Sequence, residues 1–334
     1  MNEDELNKYL DEHLKYYYHK TDEKEQGYFI HHNLPLVHKL IIASDKFISK
    51  FDNIESIDKI NLRGLSKMDL LSKIKLLKEF YKEYNINIDI EKLIQNGSIN
   101  PRFLDFKSVS IDKYTNAYYL NNNGNDDIFF PNSNLTLDFV FIAHELSHFS
   151  NKPNSSDQAC ILSEALAMYT ESLACSFLEN RGYKNESMLF KLIRLNNMRD
   201  CISSTLGSVE AKLTYITFGK INKENYSKLF KNRSYEEFLN NLPSKKDFDK
   251  VTISVRYIFG LLLSGYMINK IKNDYSFFQN IENLNNSINS LSFFEALEKI
   301  NIYDLSDNTI NMLYDCLIDN VISSKDIKIT SKSK

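Results

Sequence analysis

"LDFVFIAHELSHFSN", residues 137–151, sets two histidines four positions apart in an otherwise apolar run, with a glutamate beside the first. Two readings compete: a metal site, or a core helix in which His144 and His148 merely pack. Residues four apart on a helix project from one face, so these two imidazoles can meet a single ion. Thr136 or Asn134 is placed to cap the helix start, and Pro153 to close its end. Glu145 lies one residue step round the helix, beside the ion rather than on it. There it can take a proton from a water that the metal activates and pass it to a leaving amine.

Two histidines leave zinc one protein ligand short. The segment "DQACILSEALAMYTESLACSFLEN", residues 157–180, reads as a second helix, capped at Asp157. Glu164 is flanked there by apolar residues, where a lone carboxylate is costly and a metal relieves the cost. It is the expected third ligand, with Glu171 or Asp157 as fallback. Glu171, two turns further along the same face, is suited to accept the free N–H of a ligating imidazole. One Zn2+ per chain is the cofactor expected.

Composition narrows the alternatives. The 334 residues suffice for one large domain or two modest ones. A formal charge of −3 and a pI near 6.2 give no electrostatic footprint for nucleic acid. Nine glycines and five prolines are few for the tight turns of an all-β fold. Cys160, Cys175, Cys201 and Cys316 follow no ligand spacing and read as reduced thiols. With an N-terminus that lacks an apolar signal core, they point to the cytoplasm. "VTISVRYIFGLLLSGYMI", residues 251–268, is barely long enough to span a bilayer and contains Arg256, so a buried helix is expected there and no membrane span.

The fold class expected is mostly α, with a small sheet of about three strands before the motif helix. Leu34, Val37, Leu40 and Ile41 recur at helical spacing, and Leu70, Ile74, Leu77, Phe80 and Tyr81 form a stripe behind a cap at Ser66. A short helix ends on Gly97. "RFLDFKSVSI" (102–111), "NAYYL" (116–120) and "DIFFP" (127–131) read as strands, the last two joined by the polar turn "NNNGND". Later helices are expected at 134–150, 157–181, 185–204, 208–220, 234–241, 246–272, 290–300 and 305–319. The chain divides into an N-terminal helical region (1–100), a catalytic region (101–322) and a basic tail (323–334). His13, His19, His31, His32 and His38 lack partners at ligand spacing and read as solvated or half-buried positions.

The H-E-x-x-H helix followed by a helical glutamate resembles the gluzincin metallopeptidases, most nearly the oligoendopeptidase F and thimet oligopeptidase family. "NAYYLNNNGNDDIFFPNSNLTLDFVFIAHELSH", residues 116–148, is similar to that family's strand, polar turn, strand and motif helix. "SEALAMYTE", residues 163–171, is similar to its ligand helix and also to the aminopeptidase N pattern. "RYIFGLLLSGYM", residues 256–267, resembles the late helix that brings a tyrosine to the site in both families. The resemblance implies a zincin-like catalytic fold that hydrolyses oligopeptides or flexible segments, with Tyr257 supporting the oxyanion and Tyr266 or Tyr215 in reserve. The N-terminal helices would wall the cleft.

The resemblance covers 116–171 and, more loosely, 250–270, and the chain departs from it in several ways. Only fifteen residues separate His148 from Glu164, fewer than in either family, and the chain is shorter than a typical oligopeptidase. No histidine follows His148, so the oligopeptidases' transition-state histidine has no counterpart. "TNAYYL" stands where aminopeptidases carry "G-x-M-E-N", which favours oligopeptidase over aminopeptidase action. A target-specific, toxin-like protease and an inactive binding protein of the same fold are the other readings. An extended peptide substrate would pair with the "NAYYL" strand, placing Asn116, Ala117 and Tyr118 at the substrate.

Overall fold

A computed structural model describes residues 2–18, 22, 25–48, 65–103, 117–122, 125–240, 242, 248 and 251–322. Helices α1 (Glu3–Tyr18), α2 (Tyr28–His32), α3 (Leu34–Ile48), α4 (Leu70–Glu83) and α5 (Ile90–Gln95) precede strands β1 (Ile99–Phe103), β2 (Tyr118–Asn122) and β3 (Asn125–Asn132). The motif helix α6 (Asp138–Asn151) and α7 (Asp157–Asn180) follow, then α8 (Lys184–Phe218), α9 (Lys223–Leu229), α10 (Tyr235–Asn240) and α11 (Val251–Asn273). The last three are α12 (Phe278–Asn285), α13 (Phe293–Lys299) and α14 (Asp307–Ile322). The mostly helical fold with a three-stranded sheet is the one the sequence pattern predicts. His19, residues 104–111, Asn116 and the tail 323–334 lie outside the described residues.

The motif helix is held by its surroundings rather than by a cap. Neither Thr136 nor Asn134 caps it. Thr136 donates from its amide (3.0 Å) and its hydroxyl (3.1 Å) to the carbonyl of Ser66. Those contacts belong to a short antiparallel bridge at Lys67 and Leu135, which also occupies Ser66. The cap of α4 is therefore Asp69, not Ser66, its carboxylate accepting from the Ser72 amide. At the first residue of α6 the buried carboxylate of Asp138 takes Lys73 Nζ at 2.5 Å, the Ser133 amide at 2.9 Å and the Ser133 hydroxyl at 2.7 Å. A carboxylate there also meets the positive end of the helix dipole. Every residue from Asp138 to Ser147 is buried, as suits a helix that is mainly apolar all round. Phe80 of α4 lies 5.7 Å from the Phe139 ring and 5.3 Å from that of Phe177, so α4, α6 and α7 share an aromatic core.

The strand order is β1-β3-β2. β3 pairs in parallel with β1 (Ile99 opposite Ile128) and antiparallel with β2 (Tyr118 opposite Phe129). β1 starts three residues before the predicted strand. β3 buries Ile128 and Phe130 toward α6, and among the described residues β2 is an outer strand. One core of buried residues runs from Phe29 to Leu317, and a smaller one joins Leu6, Leu10 and Leu14 of α1 to Ala211, Ile221 and Tyr226.

Residues 184–218 form one helix where two were expected, broken near Gly207. A mid-helix glycine costs about 1 kcal/mol relative to alanine, and the burial of Leu206 and Val209 on either side offsets it. The helices α9 and α12 were not anticipated; seven or eight residues carry too little periodicity. α11 is long and apolar enough to cross a membrane, yet most of it is buried against α7 and α14. All four cysteines are free.

His31 corrects the expectation for the N-terminal histidines, because it is buried outright. Its Nδ1 donates to the Gly27 carbonyl at 2.6 Å and its Nε2 lies 3.1 Å from the buried Lys212 ammonium. Burial first, and Lys212 second, lower its pKa to about 2. The folded chain thus keeps His31 neutral, whereas the unfolded chain takes up a proton as pH falls through about 6.5. Stability is lost below that pH at up to about 1.4 kcal/mol per unit from this residue. In urea unfolding at pH 7 and pH 5, wild type should therefore lose about 2 kcal/mol more than His31→Gln does; equal losses would contradict the buried neutral assignment.

Candidate metal centre

His144 and His148 project from α6 toward α7, with their Nε2 atoms 3.0 Å apart and ring planes at 84°. Glu164 of α7 faces both, its oxygens 3.7 Å from His144 Nε2 and 3.6 Å from His148 Nε2. One ligand atom from each residue lies within 4.8 Å of the other two. Glu145 Oε1 stands 4.0 Å from His144 Nε2, off to the side, as the helical step predicts.

The outer nitrogens fix the proton positions. His144 Nδ1 lies 2.6 Å from Glu171 Oε1, an oxygen that can only accept when ionised. His148 Nδ1 lies 2.7 Å from Ser163 Oγ, whose own proton goes to Asn151 Oδ1 at 2.8 Å, so Ser163 accepts from the ring. Both imidazoles therefore carry their proton on Nδ1 and turn an Nε2 lone pair inward. Two lone pairs at 3.0 Å repel, and burial lowers the pKa of both rings, which keeps them neutral. One oxygen of Glu164, Oε2, is buried with no hydrogen-bond partner among the described residues. Three carboxyl groups, those of Glu145, Glu164 and Glu171, gather here against one guanidinium, that of Arg194, so acidic groups outnumber basic ones. One divalent cation removes the lone-pair conflict, serves the orphaned oxygen and offsets the acidic excess. Two imidazoles and a carboxylate suit zinc.

The other expected residues divide. Asp157 is engaged elsewhere and is not part of the group: it is the first residue of α7 behind the Ser156 cap, fully buried, and its carboxylate takes Arg256 Nη2 at 3.1 Å. Glu171 sits behind His144, not on the ligand side. Tyr257 of α11 is half-buried, and the Glu164 carboxylate, then burial, then Glu145, push its hydroxyl above the ordinary tyrosine range, while Arg194 opposes the rise. Tyr266 is buried against Phe277, and the Tyr215 hydroxyl donates to Asp11 at 2.9 Å; both are spent in packing. Tyr118 stacks on Phe129 and Ala117 packs on the core. Tyr119 touches the site directly: its backbone N–H donates to Glu145. Burial and Glu164 push the Glu145 carboxyl well above the usual carboxylate range, and that amide opposes the rise.

Sequence reasoning missed Arg194, Ser163, Asn151 and Gly260. A lone arginine among the buried Leu192, Ile193 and Leu195 was the available signal for the first. Gly260 of α11 lies against the third ligand, where a Cβ would stand 3.0 Å from Glu164 Cβ and 3.2 Å from its carbonyl carbon.

No family model matches the chain, and no curated protein sequence matches it. Two solved structures share the fold. One, from Chlamydophila abortus, bears the name of a peptidase; it superposes over 95% of this chain and 60% of its own, with TM-score 0.54 and 17% identity. The other, from Bacillus anthracis str. Ames, bears the name of an oligoendopeptidase F; it superposes over 98% of this chain and 57% of its own, with TM-score 0.53 and 13% identity. The chain thus spans less than two thirds of either neighbour's length.

Gly260→Ala forces Glu164 aside, so it should destabilise the fold by about 1–3 kcal/mol and weaken zinc binding. Gly265→Ala, which meets Leu317 Cα at 3.0 Å instead, should destabilise with zinc affinity unchanged. Denaturant unfolding and a chelator-competition titration on both variants check the contrast.

Proposed function

We propose that this chain is a zinc-dependent peptidase of the gluzincin kind, acting on oligopeptides or flexible peptide segments. The observation that carries the reading is the convergence of two Nδ1-protonated imidazoles and an orphaned carboxylate oxygen beside Glu145, itself tied to an outer strand. The peptidase names of the two structural neighbours agree with it. His144, His148 and Glu164 would hold the ion. Zinc bound there supplies Lewis acidity, polarising a peptide carbonyl and acidifying water.

The remaining work falls to the chain's own groups. Glu145, whose surroundings raise its proton affinity, takes the proton of the attacking water and returns it to the leaving amine. The Tyr257 hydroxyl is held in its protonated form and donates to the oxyanion. Tyr119 is bonded through its backbone to Glu145, so β2, an outer strand among the described residues, lies beside the base. A substrate laid along that strand, past Ala117 and Tyr118, brings its backbone to the base without a demand on side-chain identity.

Glu145→Gln keeps the shape of the residue and removes the base. It should bind zinc as wild type does and cleave a mixed peptide digest about 100-fold to 10,000-fold more slowly. Nα-acetylated peptides should be cut as readily as free ones, since nothing on the β2 edge requires a terminal amine. A Glu145→Gln protein as active as wild type would end the proposal, and strict dependence on a free N-terminus would turn it into an aminopeptidase.

A further inference from the structure

We infer that Arg194 is a positioning residue for the metal, acting through Glu171 on His144. Three helices meet at this point: Arg194 comes from α8, Glu171 from α7 and His144 from α6. The guanidinium grips Glu171 in a two-pronged fork, Nε donating to Oε2 at 2.9 Å and Nη2 donating to Oε1. Oε1 is the oxygen that takes His144 Nδ1 at 2.6 Å. Arg194 is itself held, 5.2 Å from the Phe190 ring, which packs edge-on against Phe141 of the motif helix.

The geometry makes Arg194 more than a counter-charge. A carboxylate on a glutamate side chain can turn about its last bond, and only one orientation aims an oxygen at His144 Nδ1. A planar fork with two donors fixes the carboxylate plane, which a single ammonium cannot do. The fixed oxygen then sets the ring rotation of His144 and so the direction of its Nε2 lone pair. His148 is treated differently, for its Nδ1 proton goes to the neutral Ser163–Asn151 pair. The charged support is spent on one imidazole only.

This inference rests on the metal reading above, and the experiment separates the two. Zinc dissociation constants of the full chain are measured by competition with a chromogenic chelator for wild type, Arg194→Met, Arg194→Lys, Glu171→Gln and the Arg194→Met/Glu171→Gln pair. Loss of such an outer support typically weakens metal binding about 10-fold to 100-fold. Arg194→Met should lose affinity by that factor, Arg194→Lys should recover part of it, and the double variant should bind no more weakly than the worse single. Additive losses in the double variant would overturn the inference, as would an Arg194→Met protein with wild-type affinity. If Arg194→Met does not fold, the lysine variant decides: affinity equal to wild type overturns it. A raised KM with zinc affinity unchanged would place Arg194 against substrate instead and also overturn it. Wild type without measurable zinc affinity would sink the metal reading itself.

Discussion

Two imidazole lone pairs aimed at each other across 3.0 Å are the constraint around which this molecule is arranged. Neither ring can relieve the conflict by sharing a proton, because each has already committed its Nδ1 proton outward, one to Glu171 and one to Ser163. A cation between them would do so. The third side of the group, Glu164, belongs to a different helix, so α6 and α7 must be held at a fixed distance and rotation. Gly260 sets how near α11 can come, and Asn151, the last residue of α6, is bonded to Ser163 of α7.

Holding several carboxylates out of water is expensive, and the fold meets that cost with support from a distance. Asp138 and Lys73 pin the beginning of the motif helix to α4. The rings of Phe80, Phe139 and Phe177 fill the space behind it. The buried apolar surface of the large core is what tolerates the polar group at its centre, since each unsatisfied buried charge would otherwise cost several kcal/mol.

The group was legible in the sequence where its geometry is helical. His144, Glu145 and His148 share a turn, and Glu164 and Glu171 share a face, so the angular arithmetic of one helix places each pair. What bridges helices was not legible. Arg194 is fifty positions from His144, and α8 has the same apolar pattern with or without it. Ser163 and Asn151 are small polar residues of kinds found in every loop and helix. The contribution of Tyr119 comes from its backbone and leaves no trace in residue type. Caps failed for a related reason: Thr136 gives its amide and hydroxyl to the Ser66 carbonyl, across a bridge formed by segments seventy residues apart. The parallel pairing of β1 with β3 likewise depends on partners that local pattern does not reveal.

The uninterrupted course of α8 ties the periphery of the molecule to its centre. Arg194 and Lys212 lie eighteen residues apart on one rod, about 27 Å at the rise of an α-helix. At the far station Lys212 meets His31, and Glu210 takes the Tyr226 hydroxyl at 2.9 Å and Arg233 Nε at 2.6 Å. The N-terminal helices pack on the same rod that carries Arg194, α1 and α3 directly and α2 through His31. Trimming them would take His31 from the buried Lys212, on the helix whose other half carries Arg194.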